Sequence, residues 1–73
     1  MKTLGIECTA HTLSMGVARD GRILSNVIDT YSGGKEGLIP RKMADHHAGV
    51  FADVLSRSLK TAGFGLSDID LIA

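Results

Sequence analysis

Three features of the 73-residue sequence predict an α/β domain in the order strand-strand-strand-helix-strand. Apolar residues alternate through three consecutive short runs, which is the period of half-buried strands. A stripe of apolar residues then recurs at three- and four-residue steps from Met43 to Leu59, which is the period of an amphipathic helix. The segment Ile69-Asp70-Leu71-Ile72-Ala73 then opens a further strand.

The first strand runs from about Thr3 to Cys8, with Leu4, Ile6 and Cys8 on one side and Thr3, Gly5 and Glu7 on the other. It ends in a polar turn carrying Thr9, His11 and Thr12. The second strand, Leu13 to Ala18, places Leu13, Met15 and Val17 on one face. Ser14 and Gly16 on the other face leave room for close packing. Asp20-Gly21 between apolar runs is a strong hairpin signal, and the third strand follows from Ile23 to about Tyr31. The stretch Ser32-Gly33-Gly34-Lys35-Glu36-Gly37 reads as a flexible loop.

Pro40 suits the first helical turn, where its missing N–H is no loss. The helix therefore begins near Pro40 or Arg41 and runs to about Ala62, with Gly63 as its stop. Met43, His47, Val50, Phe51, Val54, Leu55 and Leu59 form its stripe, and Asp45, Asp53, Arg57 and Lys60 lie off it. Gly49 costs about 1 kcal/mol relative to alanine inside a helix, so close helix-to-sheet packing is expected there. Ser67-Asp68 turns the chain into the last strand, which is expected to return parallel to the first by a right-handed crossover. An antiparallel meander, a crossover helix and a parallel return make the opening half of a ribonuclease-H-like sheet. Residues 1–73 are therefore expected to be part of an N-terminal lobe whose remainder is missing.

Composition narrows the function. Hydrophobic residues are 44% and charged residues 22% of the chain, with zero formal net charge. That is globular rather than disordered, and it argues against a strongly nucleic-acid-binding surface on this piece alone. The single Cys8 cannot form an internal disulfide. No apolar run is long enough for a signal peptide or a membrane span, so a cytoplasmic protein is the expectation.

Four segments in order carry a resemblance: Gly5-Ile6-Glu7-Cys8-Thr9-Ala10-His11-Thr12, Gly37-Leu38-Ile39-Pro40-Arg41, Ala44-Asp45-His46-His47 and Asp68-Ile69-Asp70-Leu71-Ile72-Ala73. Together they resemble the TsaD-like tRNA threonylcarbamoyladenosine synthases of archaeal and eukaryotic type, once described as O-sialoglycoprotein endopeptidases. The resemblance spans the whole chain. Cys8, where the family often has a small residue, and Leu38 are mild departures.

The resemblance implies the actin-like/Hsp70-like (ASKHA) fold, two ribonuclease-H-like lobes around a cleft, with this chain as the first part of the first lobe. It implies transfer of a threonylcarbamoyl group from an adenylate intermediate to N6 of an adenosine beside the tRNA anticodon. It further implies an ATP or adenylate ligand, an iron or zinc ion, and work within a KEOPS-type complex. The family's His-x-x-x-His motif, its metal-binding aspartate, its Gly-Pro-Gly loop and its nucleotide-binding glycines all lie downstream of position 73. No metal ligand is therefore expected in this stretch.

Candidate site residues follow. Glu7, Thr9, His11 and Thr12 are expected to line the cleft and hold the adenylate or threonylcarbamoyl group; hydroxyls and turn N–H groups suit an anionic or carbamoyl ligand. The bland alternative is a turn closed by threonines beside a solvated carboxylate. Cys8 and His11 have the spacing of half a zinc site, but zinc takes four ligands, and a small buried cysteine is the expectation. His46 and His47 point about 100° apart on a helix and cannot readily share one ion. His47 reads as a core histidine with one hydrogen bond, and both support the site. The glycine-rich loop lacks the phosphate-loop spacing; Lys35 and Arg41 are candidate tRNA phosphate contacts. The outer face of the helix Arg41 to Ala62 is a candidate docking face for a partner subunit. Two other functions stay open: a non-catalytic dimerisation module of the same fold, and a metalloprotease, for which the chain lacks a zinc motif.

Overall fold

The computed structural model describes residues 1–33, 37 and 39–73. Four strands form one sheet: β1 (Lys2–Thr9), β2 (Thr12–Arg19), β3 (Arg22–Thr30) and β4 (Leu71–Ile72), in the spatial order β3-β2-β1-β4. β1, β2 and β3 are an antiparallel meander, and β4 pairs parallel to β1, Thr3 opposite Leu71 and Leu4 opposite Ile72. Helix α1 (Pro40–Ala62) connects β3 to a short 3-10 turn at Leu66–Asp68 and so to β4. The fold is thus α/β in the β-β-β-α-β order of the first half of a ribonuclease-H-like lobe. Each strand of the meander begins a residue or so earlier than its apolar run, because the flanking polar residues complete the ladder.

Two turns with left-handed residues make the meander. Ala10 (φ 45°) lies between β1 and β2, while Asp20 (φ 50°) and Gly21 (φ 83°) join β2 to β3. Positive φ at both central residues matches the right-handed twist of the paired strands. The amino group of Met1 lies 2.5 Å from Oδ1 of Asp20 and ties the chain's start to this second turn.

A bulge interrupts β2 and β3 between Val17 and Ala18, leaving Leu24 unpaired. Ser25 repairs it, its buried hydroxyl accepting from the Val17 N–H at 3.2 Å. Gly16 sits where the bulged strand comes close: a Cβ there would meet the Ser25 carbonyl oxygen at 2.9 Å.

Helix α1 packs on one face of the sheet, across β2 and β3. Leu4, Leu13, Met15 and Val17 from the sheet and Val54 and Leu59 from the helix are the buried core, with Ile6, Val27, Val50, Leu55, Phe64 and Ile69 around it. Pro40 occupies the first helical turn. At the other end Gly63 (φ 83°) donates to Lys60 O at 3.1 Å and Phe64 donates to Leu59 O at 3.0 Å, the paired bonds that close a helix through a left-handed residue. Of the stripe, His47, Val54 and Leu59 are buried, but Phe51 stays 41% exposed, at the open hollow it lines with Cys8 and Ala10.

Two expectations fail. Gly49 is exposed, and a Cβ there would meet nothing within 4 Å, so no close packing requires it. Cys8 is exposed rather than buried. It shares the inner face with Leu4 and Ile6, but it stands at the tip of β1, beyond the part of the strand that the helix and Phe64 cover.

Candidate functional site

The β1–β2 turn and the start of α1 lie at the same end of the sheet. Cys8 and Ala10 line one open apolar hollow with Pro40, Met43, His47 and Phe51, about 470 Å³ in volume. His47 forms the joint. It is buried, 6% exposed, and its Nε2–H donates to the Ala10 carbonyl at 2.8 Å. Its Nδ1 is buried without a partner among the described residues. Tyr31, just past β3, adds a second tie by donating its N–H to the His11 carbonyl at 2.7 Å. The turn is therefore held through its main chain at two consecutive residues, which leaves the side chains of Thr9 and His11 exposed.

Sheet register divides the candidate residues. Glu7 pairs with Ser14, and Ser14 with Ile28; Thr9 pairs with Thr12, and Thr12 with Thr30. Paired residues share a face and neighbours alternate, so Glu7, Thr9 and Thr12 lie on the face away from the helix. Thr9 Oγ1 donates to Glu7 Oε1 at 3.4 Å. His46 and His47 lie on the helix side. Glu7, Thr9, His11 and Thr12 are thus brought together at one sheet end, and the two histidines back that end from behind. Lys35 lies outside the described residues. Arg41 is exposed in the first helical turn.

His46 has a partner that sequence reasoning missed. Its Nε2 lies 2.6 Å from Oδ1 of Asp29, with the two side chains 33% and 26% exposed. The Tyr31 ring centroid is 5.1 Å from that of His46. The signal for Asp29 was present: it occupies an inner-face position of β3, opposite Leu13 and in step with Ser25 and Val27. A carboxylate on a helix-covered face needs a donor, and His46 supplies it.

Among the described residues no group of three or more His, Cys, Asp or Glu could hold a metal ion. Cys8 and His11 come with no further ligand among the described residues.

The chain matches no protein-family profile. Individual proteins match it end to end. The tRNA N6-adenosine threonylcarbamoyltransferase of Thermococcus gammatolerans is 44% identical over 73 residues, all of this chain and 22% of that protein. The enzyme of the same name from Thermococcus kodakarensis is 45% identical with the same coverage. That from Pyrobaculum islandicum is 46% identical over 76 aligned positions, again all of this chain and 22% of its own length. The chain matches the N-terminal segment of the archaeal tRNA N6-adenosine threonylcarbamoyltransferases. It spans about a fifth of those threonylcarbamoyltransferases, and within that fifth the polar turn, the Pro40 helix start and the His46-His47 pair all fall.

Proposed function

We propose that this chain serves as the N-terminal segment of an enzyme that transfers a threonylcarbamoyl group from threonylcarbamoyl-adenylate to N6 of the adenosine beside a tRNA anticodon. The observation that carries this reading is the end-to-end match, at 44–46% identity, to tRNA N6-adenosine threonylcarbamoyltransferases. In the transfer, a bond forms between N6 and the carbamoyl carbon, the carbon–oxygen bond to the adenylate phosphate breaks, and one N6 proton leaves. Positioning the two reactants is what a rigid wall contributes.

The turn residues divide that work by chemistry. Glu7, as a carboxylate, accepts hydrogen bonds and repels phosphate, so it suits an N–H or hydroxyl of the threonylcarbamoyl group or a ribose. The hydroxyls of Thr9 and Thr12 and the imidazole of His11 can donate to carbamoyl or phosphate oxygens. The iron or zinc of such an enzyme would polarise the carbamoyl oxygen when bound, held by residues outside this chain. The outer face of α1, where Asp53, Arg57 and Lys60 are exposed, is the proposed docking face for a KEOPS-type subunit. Among the described residues no helix is long and apolar enough to cross a membrane, and the proposed site of action is the cytoplasm.

The test is threonylcarbamoyl transfer to tRNA by the intact protein and by Glu7→Ala. Loss of one ligand hydrogen bond to a charged group lowers kcat/KM by roughly ten-fold or more. An unchanged value removes Glu7 from the site, and no transfer by the intact protein removes the activity.

A further inference from the structure

The Asp29–His46–Tyr31 group lies on the helix side of the sheet end, apart from the wall formed by Glu7, Thr9 and Thr12. We propose that it is a seat for one unpaired nucleobase of an RNA strand; the choice of RNA rests on the function proposed above.

The geometry supports this in three ways. Asp29 takes the Nε2–H of His46 at 2.6 Å, which fixes the plane of the imidazole and its tautomer. The other ring nitrogen, Nδ1, has no protein partner among the described residues, and in that tautomer it is an acceptor. Unpaired bases present N–H donors on their pairing edge. The Tyr31 ring stands 5.1 Å from His46, tilted 46°, and both residues are partly exposed. Single-stranded RNA is held by stacking of splayed bases on such rings, with hydrogen bonds to their edges. Finally, the main chain of Tyr31 is anchored by its N–H to the His11 carbonyl, so its ring stands on a fixed base. A flexible aromatic side chain on an unanchored loop would lose much of the stacking energy to ordering.

The surroundings suit a polyanion. The first turn of α1 carries no acidic residue, and Arg41 is exposed there.

The experiment is fluorescence anisotropy of the intact protein with a labelled adenosine hexaribonucleotide and with a hexamer of the same phosphates lacking bases. The intact protein is expected to bind the base-bearing strand about ten-fold more tightly, the scale of one stacked base. Tyr31→Leu and His46→Leu are each expected to shrink that ratio several-fold, and Tyr31→Phe, which keeps the ring, to preserve it. Equal affinity for the two strands, no binding of either, or a ratio unmoved by Tyr31→Leu and His46→Leu overturns the proposal. Persisting transfer to tRNA alongside any of those results leaves the enzymatic reading intact. A Tyr31-dependent base preference in a protein without transfer activity does the reverse.

Discussion

The imidazole Nε2 of His47 lies 2.8 Å from the carbonyl oxygen of Ala10, across the gap between α1 and the β1–β2 turn. Ala10 is one of only two non-glycine residues with positive φ among the described residues, and that conformation costs it about 1–2 kcal/mol. A buried side chain thus holds a strained turn, and the exposed candidate side chains on that turn inherit its position.

Replacing His47 by leucine therefore removes a tether as well as a polar group. The expected loss is about 1 kcal/mol, a fall in Tm of about 4–8 °C for a domain of this size. His47→Gln keeps a donor near the Nε2 position and is expected to recover most of it. Thermal denaturation followed by circular dichroism measures both. Equal Tm values for the leucine and glutamine variants would remove the hydrogen bond from the account.

Gly16 and Gly49 should respond in opposite directions to alanine. At Gly16 the new Cβ meets the Ser25 carbonyl oxygen at 2.9 Å, and backbone does not move cheaply. The expected loss is about 1–3 kcal/mol. At Gly49 nothing lies within 4 Å, and the residue is exposed within α1. Gly49→Ala is expected to gain roughly 0.5–1 kcal/mol from helix propensity. Denaturant midpoints at constant m-value test the pair.

Asp20 gives the chain an acid-sensitive tie. Hydrogen bonding to the Met1 amino group, then the charge of that group, hold its carboxyl below the ordinary value of 3.8. A depressed carboxyl stabilises the fold above the unfolded value and loses that contribution as pH falls through its folded value. The stability difference between the parent and Asp20→Asn should therefore be full at pH 6 and shrink below about pH 3.8. Acetylating the α-amino group should abolish the difference at pH 6. A difference that grows toward low pH contradicts the assignment.

Apolar surface is left on both sides of the sheet. Ile23 and Ile28 on the outer face are 76% and 56% exposed, and Leu71 and Ile72 on the edge strand are 48% and 58% exposed. An open edge with apolar side chains recruits a further strand. The 73-residue chain alone is expected to self-associate, its weight-average mass rising with concentration in sedimentation equilibrium. Ile72→Lys should reduce that rise. A concentration-independent monomer would refute the expectation.

The order of elements was written in local sequence. Alternation in Leu13, Met15 and Val17, the Asp20-Gly21 turn, Pro40 at the helix start and Gly63 at its end each act through neighbours in the chain, so the residues alone place them. Glu7, Thr9 and Thr12 falling on one face is also legible, since strand side chains alternate with a period of two.

What tertiary structure decided are the relationships across that order. The extent to which α1 covers the sheet leaves Cys8 and Phe51 uncovered and Gly49 without a neighbour, and no stripe of apolar residues reports where a helix's footprint ends. The pairings of His46 with Asp29, 17 residues apart, and of His47 with Ala10, 37 apart, depend on helix placement over the sheet. Sequence periodicity names the face a residue takes; only packing in three dimensions names the partner it meets there.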